Sequence, residues 1–597
     1  MANLRQLLEI RTAYPADFSD DGESVLVLSN LKDTLQLYRV VRAGGELEQL
    51  TDLEDPVSGR FVPGSGRILL AKDSRGNERI QLYLLDAAPG AEPQPFVYNP
   101  EFIHRAPQVS RDGRLVGYSS NARNGVDFDV CVRPVGGGDE RIVCSLGGWC
   151  EATGFSPDGR WIGVVRLTEK TGDNDLYLVP TDGGEPLHVS PHDDEAIFGE
   201  PAWLPDSSAF FFTTSTGREF ADIARYDMSP RSWEFVLESP WDKDCHVDDA
   251  GRNLLVDENA DGYSVLTLYD PQTLERRGEV PLPGRGVVDA PVFSRDGRCL
   301  AYHFTSALEP GDVWIHETET DETTRLTTSP GKVPQEELVE PELDRFESFD
   351  GESVPVFVYE PDGIERPPVI VMIHGGPEAQ LRPIWSPIAQ FFAQNGYAVA
   401  APNVRGSTGY GKRYEHLDDI EKRLDSVRDL VGLKDWLEAE GRFDTDRVVL
   451  YGGSYGGYMV LAGLAFHPEH WAAGIDIVGM SSLVTFLENT SEWRRAFRER
   501  EYGYLDRDRE FLEQASPMSR IDQMRAPLFI IHGANDPRVP LGEAEQIHRV
   551  LTDKGIPCEL AVYHDEGHGL AKLHNRLDAY PRAAAFLDRV LARAAAP

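Results

Sequence analysis

Cysteine is scarce. Six residues, Cys131, Cys144, Cys150, Cys245, Cys299 and Cys558, are spread over 597 positions. None forms a Cys-x-x-Cys pair or a metal-ligand spacing, which excludes a disulfide framework and a zinc site and leaves reduced, mostly buried thiols as the expectation. Positive charge is also short. With 59 basic against 99 acidic side chains the formal charge is −40, so phosphate backbones and anionic lipid surfaces are repelled, and neither nucleic acid nor membrane is expected as a partner. Nowhere do 18 uncharged apolar residues run together, the length a membrane-spanning helix needs. The start, Met1-Ala2-Asn3-Leu4-Arg5-Gln6, lacks a basic region followed by an apolar core. A cytoplasmic enzyme is the starting expectation. What is present is an ordinary globular composition, 41% hydrophobic and 26% charged, in a chain long enough for at least two domains.

The first half repeats. A turn signal follows a short apolar strand at Phe18-Ser19-Asp20-Asp21-Gly22 and recurs at Pro63-Gly64-Ser65-Gly66, Ser110-Arg111-Asp112-Gly113, Ser156-Pro157-Asp158-Gly159, Leu204-Pro205-Asp206-Ser207, Asp248-Asp249-Ala250-Gly251 and Ser294-Arg295-Asp296-Gly297. From the last residue of each signal to the next the intervals are 44, 47, 46, 48, 44 and 46 residues. Asp-Gly between alternating apolar strands marks a tight hairpin. About 45 residues hold four short strands, one blade of a β-propeller. Seven blades over residues 11–330, after an extension at 1–10, is the reading; an open solenoid or paired sandwiches is the alternative, weakened because solenoid repeats are usually shorter.

After Ser329-Pro330-Gly331 the period changes. Glu336, Glu337, Glu340 and Glu342 crowd a linker, and residues 331–597 then alternate apolar runs with helical stretches. Pro368–His374, Tyr397–Pro402, Arg447–Tyr451 and Pro527–His532 are continuous apolar strands, the pattern of a mostly parallel, doubly wound sheet covered on both faces. Leu424–Leu437 reads as an amphipathic covering helix.

Gly452-Gly453-Ser454-Tyr455-Gly456 follows one such strand and precedes a helical run. A G-x-S-x-G turn presents its serine on a strained strand-to-helix elbow, making Ser454 the candidate nucleophile. A phosphate-binding loop is the competing reading, but no Gly-Lys-Ser/Thr follows. A serine hydroxyl needs an imidazole base and a carboxylate to orient it. Asp536 lies 82 residues after Ser454 just past an apolar strand, and His568 another 32 residues on in Asp565-Glu566-Gly567-His568; these are the candidate acid and base. His564 and His568, four apart, lack the helix-borne glutamate of a zinc protease, and no metal or cofactor is expected. For the oxyanion, the backbone N–H of Tyr455 is one candidate donor and Gly376, with Gly375 as alternative, the other, in the loop His374-Gly375-Gly376-Pro377.

The chain resembles the prolyl oligopeptidase family of serine peptidases over nearly its whole length. Carrying the match are the domain order and four motifs: His374-Gly375-Gly376-Pro377, Asn403-Val404-Arg405-Gly406-Ser407-Thr408-Gly409-Tyr410-Gly411, Gly452-Gly453-Ser454-Tyr455-Gly456-Gly457-Tyr458 and Asp565-Glu566-Gly567-His568. The loop and elbow are most similar to the acylaminoacyl-peptidase branch. The resemblance implies action on short peptides with the propeller screening access. No clear counterpart exists of the paired glutamates by which dipeptidyl peptidases hold a free amino terminus; Asp193-Asp194-Glu195 and Glu336-Glu337 read as solvated loop charge. A simple esterase would use the same triad but has no need of a propeller, and a non-catalytic scaffold would be expected to have lost a catalytic position.

Specificity is open at this level. Val478, Leu483, Phe486 and Trp493 are candidates for the primary pocket, with core packing as the ordinary explanation of each. Arg494, Arg495, Arg498 and Arg500 would form a carboxylate receptor, and a carboxypeptidase, if they turn inward. Interleaved with Glu488, Glu492, Glu499 and Glu501, they read first as a salt-bridged helix face. An exposed edge of either domain could pair with a second copy.

Overall fold

Each repeated signal turns the chain between the first and second strands of a blade. In the first, the Gly22 N–H donates to the Ser19 carbonyl (2.9 Å) and the Ser19 hydroxyl to Asp21 (2.7 Å); the pattern returns at Ser110/Asp112, Ser156/Asp158 and Ser294/Asp296. The closing glycines have φ of 65–70°, the left-handed region glycine enters without cost. Ser207 holds the same place at φ 58°.

The structure, a computed structural model, describes residues 4–331, 333 and 335–594; the first three residues of the amino-terminal extension lie outside them. Blade 1 is the meander Ala13–Phe18, Ser24–Ser29, Gln36–Val41 and Glu48–Gln49, and six more four-stranded antiparallel sheets follow, ending at Glu322–Arg325. The seven-bladed propeller expected from the spacing is thus observed. Inner strands such as Ala209–Thr214 and Cys299–Thr305 are buried along their length. Among the described residues no strand is exchanged between first and last blades. The ring closes by packing: Ala13, Val25 and Val27 share a core with Cys299, Ala301 and Val313, and the Thr12 hydroxyl donates to the Gly311 carbonyl at 2.8 Å. Five of the cysteines are buried, Cys558 partly so, and all six are free thiols.

The second domain is an eight-stranded sheet: β1 (Glu342–Glu347), β2 (Ser353–Tyr359), β3 (Pro368–Ile373), β4 (Ala398–Pro402), β5 (Asp444–Gly453), β6 (Ala473–Ile477), β7 (Leu528–Gly533) and β8 (Cys558–Tyr563), in the order β1-β2-β4-β3-β5-β6-β7-β8. β1, β2 and β4 pair antiparallel, and the rest run parallel. Helices cover both faces. On one, α3 (Arg423–Glu440) lays Val427, Leu430, Leu433 and Leu437 on the sheet, and the wholly apolar α4 (Tyr455–Phe466) is buried almost throughout. On the other, α2 (Pro387–Gln394) and α7 (Leu573–Ala594) share a core with α1 (Leu4–Leu8). Leu4 and Leu8 thereby anchor the chain ahead of the propeller to the domain that follows it. Among the described residues no helix is long and apolar enough to cross a membrane. Ion pairs such as Arg345–Asp261 (2.8 Å) and Lys412–Asp194 (2.9 Å) join the domains.

Candidate active site

Ser454 stands between β5 and α4 with φ 58° and ψ −117°, a conformation that costs a non-glycine residue about 1–3 kcal/mol and persists only where neighbours enforce it. They do: the Ser454 N–H donates to the Ile477 carbonyl (2.8 Å), and the Ser454 carbonyl accepts from Tyr458 N–H (3.0 Å). The His374-Gly375-Gly376 loop at the end of β3 runs alongside. A Cβ on Gly375 would lie 3.1 Å from the Gly453 carbonyl and 3.3 Å from Ser454 Cβ, so a side chain there would press on the serine. His374 holds the loop through Nε2 on Ser407 Oγ and Nδ1 on its neighbour's carbonyl, both at 2.8 Å; burial pushes its pKa down and keeps it neutral.

From the carboxyl end of β7 comes Asp536, its side chain fully buried. One oxygen accepts from the N–H groups of Arg538 (2.8 Å) and Val539 (3.0 Å). The other accepts from His568 Nδ1 at 2.7 Å, and His568 Nε2 faces Ser454 Oγ at 2.9 Å. With Nδ1–H committed to the carboxylate, Nε2 is the free lone pair. The arrangement can take the hydroxyl proton from Ser454 and return it to a leaving group. The N–H of Tyr455, in the first turn of α4, has no intrahelical acceptor and sits at the positive end of that helix. Gly376, at φ 135°, shares a cavity wall with Ser454.

That cavity, about 100 Å³, has an apolar side of Met480, Phe486, Tyr502 and Val539 and a cationic side that includes Arg494 and Arg498. α5 (Leu483–Asn489) supplies Phe486, and α6 (Glu492–Tyr502) supplies the two arginines. Val478, by contrast, is packed after β6 at φ 48° and 4% exposed, and Leu483 is wholly core; neither is part of the wall. Nor is Trp493, whose ring packs on propeller residues Trp149 (5.7 Å) and Phe128 (6.2 Å). The reason is helical phase: only one stripe of α6 faces Ser454.

The four arginines do not form a salt-bridged face. Glu488 pairs with Arg509 and Glu501 with Arg423, while Glu499 accepts from Leu505 N–H. Arg495 donates instead to the Leu487 and Glu488 carbonyls, capping α5. Arg500 reaches the propeller, where the carbonyls of Thr168, Lys170 and Asp173 receive it. Among the described residues Glu378, 4.0 Å from Arg500, is the only carboxylate within 4.0 Å of any of the four. Arg498 makes one long contact, 3.4 Å, to the Gly376 carbonyl. Arg494 is 9% exposed, and its Nε has no partner. Burial, then the neighbouring cations Arg498 and Arg538, pushes its pKa down to about 9. A guanidinium so placed is stabilised by an arriving anion.

Sequence patterning missed Met480, Tyr502, Val539 and Arg538. Arg538, two residues past Asp536, carried the one available signal. It also ties the site to the propeller, pairing with Glu78, while Asn535 Nδ2 donates to the Arg75 carbonyl at 3.1 Å. Of the acids weighed as an amino-terminus receptor, Asp194 is occupied by Lys412 and the Thr216 hydroxyl. Glu336 and Glu337 lie in an exposed turn.

Residues 385–594 match the family model described as the prolyl oligopeptidase family. That match falls within the hydrolase domain. The family's members are serine peptidases, and this chain is one. It is 26% identical over 592 residues to dipeptidyl aminopeptidase BIII of Pseudoxanthomonas mexicana, covering 95% of this chain and 78% of the relative. It is 26% identical over 252 residues to the acylamino-acid-releasing enzyme of Rattus norvegicus, covering 41% of this chain and 34% of that one. The chain thus matches 78% of the first relative's length and about a third of the second's. A solved puromycin hydrolase superposes with a TM-score of 0.85 at 19% identity, covering 98% of this peptidase and 96% of that chain, a likeness of fold.

Proposed function

We propose that this peptidase removes residues from the carboxyl end of short peptides through an acyl-enzyme. Ser454 attacks the scissile carbonyl as His568, oriented by Asp536, takes its proton. The N–H groups of Tyr455 and Gly376 receive the oxyanion, His568 protonates the departing amine, and water admitted in its place releases the acyl group. The observation that carries the reading of the substrate's end is the pair Arg494 and Arg498. They share a cavity wall with Ser454 and have no carboxylate within 4.0 Å among the described residues. In a partly desolvated site a charge-assisted hydrogen bond to a terminal carboxylate contributes about 1.5–3 kcal/mol.

A second reading, release of an acylated amino-terminal residue, is supported by the similarity to the rat acylamino-acid-releasing enzyme and by the His374–Pro377 loop. Dipeptidyl release, the activity named for the Pseudoxanthomonas relative, needs a receptor for a free amine, and Asp194 is already engaged. One decapeptide, free or blocked at either end, separates the three by product mass. Stepwise loss from the carboxyl end, blocked by C-terminal amidation, is the expected result. Faster cleavage after N-acetylation with indifference to amidation would establish the second reading, and dipeptides from a free amino terminus the third.

A further inference from the structure

We propose that the turn joining α4 to β6 is a zinc site, in which His467, Glu469 and His470 hold one ion and leave its fourth position to water. Which end of a peptide is cleaved at Ser454 does not enter it.

Among the described residues, two groups of three metal-capable side chains bring their ligand atoms within 4.8 Å of one another. Asp418, Asp419 and Glu501 form one, and Arg423 already supplies a cation to two of them. His467, Glu469 and His470 form the other, and their donor set is of another kind. Two imidazoles and a carboxylate are a zinc ligand set, whereas carboxylates alone suit calcium or magnesium. Ligand atoms about 2.0–2.1 Å from a tetrahedral ion lie roughly 3.4 Å apart. His470 Nε2 and Glu469 Oε1 are 3.5 Å apart, so this pair already has the separation, and rotation of the His467 side chain closes the third side.

The turn is pinned at both ends. His467 closes α4, its N–H donating to the Gly463 carbonyl at 3.0 Å, and Pro468 cannot continue the helix. The His467 carbonyl accepts from His470 N–H at 3.2 Å, and the two rings stand 6.3 Å apart between centroids. Beyond them Trp471 is buried, and its indole N–H donates to the same Gly463 carbonyl at 3.0 Å. Little backbone entropy is therefore left to lose when an ion binds. The electrostatics favour a cation. The turn sits at the negative end of α4, and burial pushes the His467 pKa down, which keeps its ring lone pair available. Among the described residues no charged side chain outside the turn pairs with the three ligands within 4.0 Å. The neighbouring cation, Arg428 of α3, is engaged by Asp425 at 2.9 Å. Glu469 is exposed and both histidines are half-buried, so an ion can reach them from solvent. The 12 residues of α4 put the ion about 18 Å from Ser454. Its role is to fasten the turn and not to touch substrate.

The test is calorimetric titration of zinc chloride into the full chain after chelator treatment and desalting, with melting temperature and peptide turnover measured alongside. The native protein should show a site whose filling raises the melting temperature by about 3 °C or more. His470→Ala should weaken that site at least about tenfold and remove the shift. Glu469→Gln, at an exposed position where the fold is not at stake, should weaken it at least about fivefold. Without metal both variants should turn over peptide at the native rate, which shows that they are folded. Cobalt(II) in place of zinc should give the visible bands of a tetrahedral ion in the native protein and lose them in His470→Ala. If zinc does not bind, or binds either variant as tightly as the native protein, the proposal is overturned.

Discussion

Gly76 of the propeller and Gly567 of the histidine loop meet backbone to backbone. A Cβ added to Gly76 would lie 2.4 Å from Gly567 N, and one added to Gly567 would lie 2.0 Å from the Gly76 carbonyl oxygen. Gly76 also has φ 73°, so Gly76→Ala is both strained and obstructed. Since Gly567 precedes His568, displacement there moves the imidazole, and about 1 Å of misplacement can cost about 100-fold in rate. Gly76→Ala should therefore lower kcat by tenfold or more while the propeller melts near its normal temperature. Unchanged turnover would mean that the two domains yield at this contact without disturbing the site.

Ser454→Ala should reduce peptide hydrolysis by at least about 10⁴-fold. The residue buries little apolar area and adopts a strained φ, so its melting temperature should hold or rise slightly. Sulfonyl fluoride labelling should disappear with the hydroxyl; a labelled variant would place the nucleophile elsewhere.

Arg494 and Arg498 predict a discrimination rather than a plain loss. Amidating the substrate's carboxyl terminus should lower kcat/KM by about tenfold to a hundredfold, since about 1.4 kcal/mol corresponds to tenfold. Replacing Arg498 with Met should remove most of that difference while leaving a neutral ester substrate less affected. Equal losses on both substrates would assign the arginine to the architecture alone.

Arg423 is wholly buried between Asp418 and Glu501, and Asp418 also accepts from the Tyr455 hydroxyl at 2.9 Å. Arg423→Met leaves two buried acids without their cation, which costs about 3–5 kcal/mol. A fall in the urea midpoint of the hydrolase domain is the expected outcome. A stability within about 0.5 kcal/mol of the native protein would mean that the acids are already protonated.

Asp476 lies on β6 with neither carboxylate oxygen hydrogen-bonded, and burial raises its pKa to about 7. Between about pH 4, where the unfolded carboxyl titrates, and pH 7 the folded chain holds a proton that the unfolded chain has lost. Its contribution to stability is therefore lost as pH rises through that window. Asp476→Asn carries no such dependence. The variant's advantage in melting temperature should grow between pH 5 and pH 8, by about 3 °C or more; a constant gap would show that Asp476 is charged throughout.

How much of this was legible in the chain varied with the range of the interactions. The seven turns were readable because each signal, Ser-x-Asp-Gly in four of them, closes on itself within four residues, and its spacing survives whatever packs around it. The strand-then-elbow context of Ser454 was legible for the same reason, since β5, the turn and α4 are contiguous. Asp536 and His568 were found at a distance only because each follows its own apolar strand, and the parallel sheet brings those strand ends to one edge. The phase of α6 was not legible. Interleaved arginines and glutamates look alike whether they pair along a helix or divide between partners. Glu501 was drawn away by Arg423 and Glu488 by Arg509, while Arg500 was taken by propeller carbonyls.

The sequence alone therefore determined the local units: four-stranded blades, a strained serine elbow, a histidine loop, and the family to which they point. Only the tertiary structure decided which guanidinium groups lack a carboxylate, which aromatic ring closes the seam, and that Gly76 lies against Gly567. These facts depend on contacts between segments hundreds of residues apart. Pattern and propensity describe a residue's neighbours along the chain, and the partner across an interface is set by how two separately folded surfaces meet.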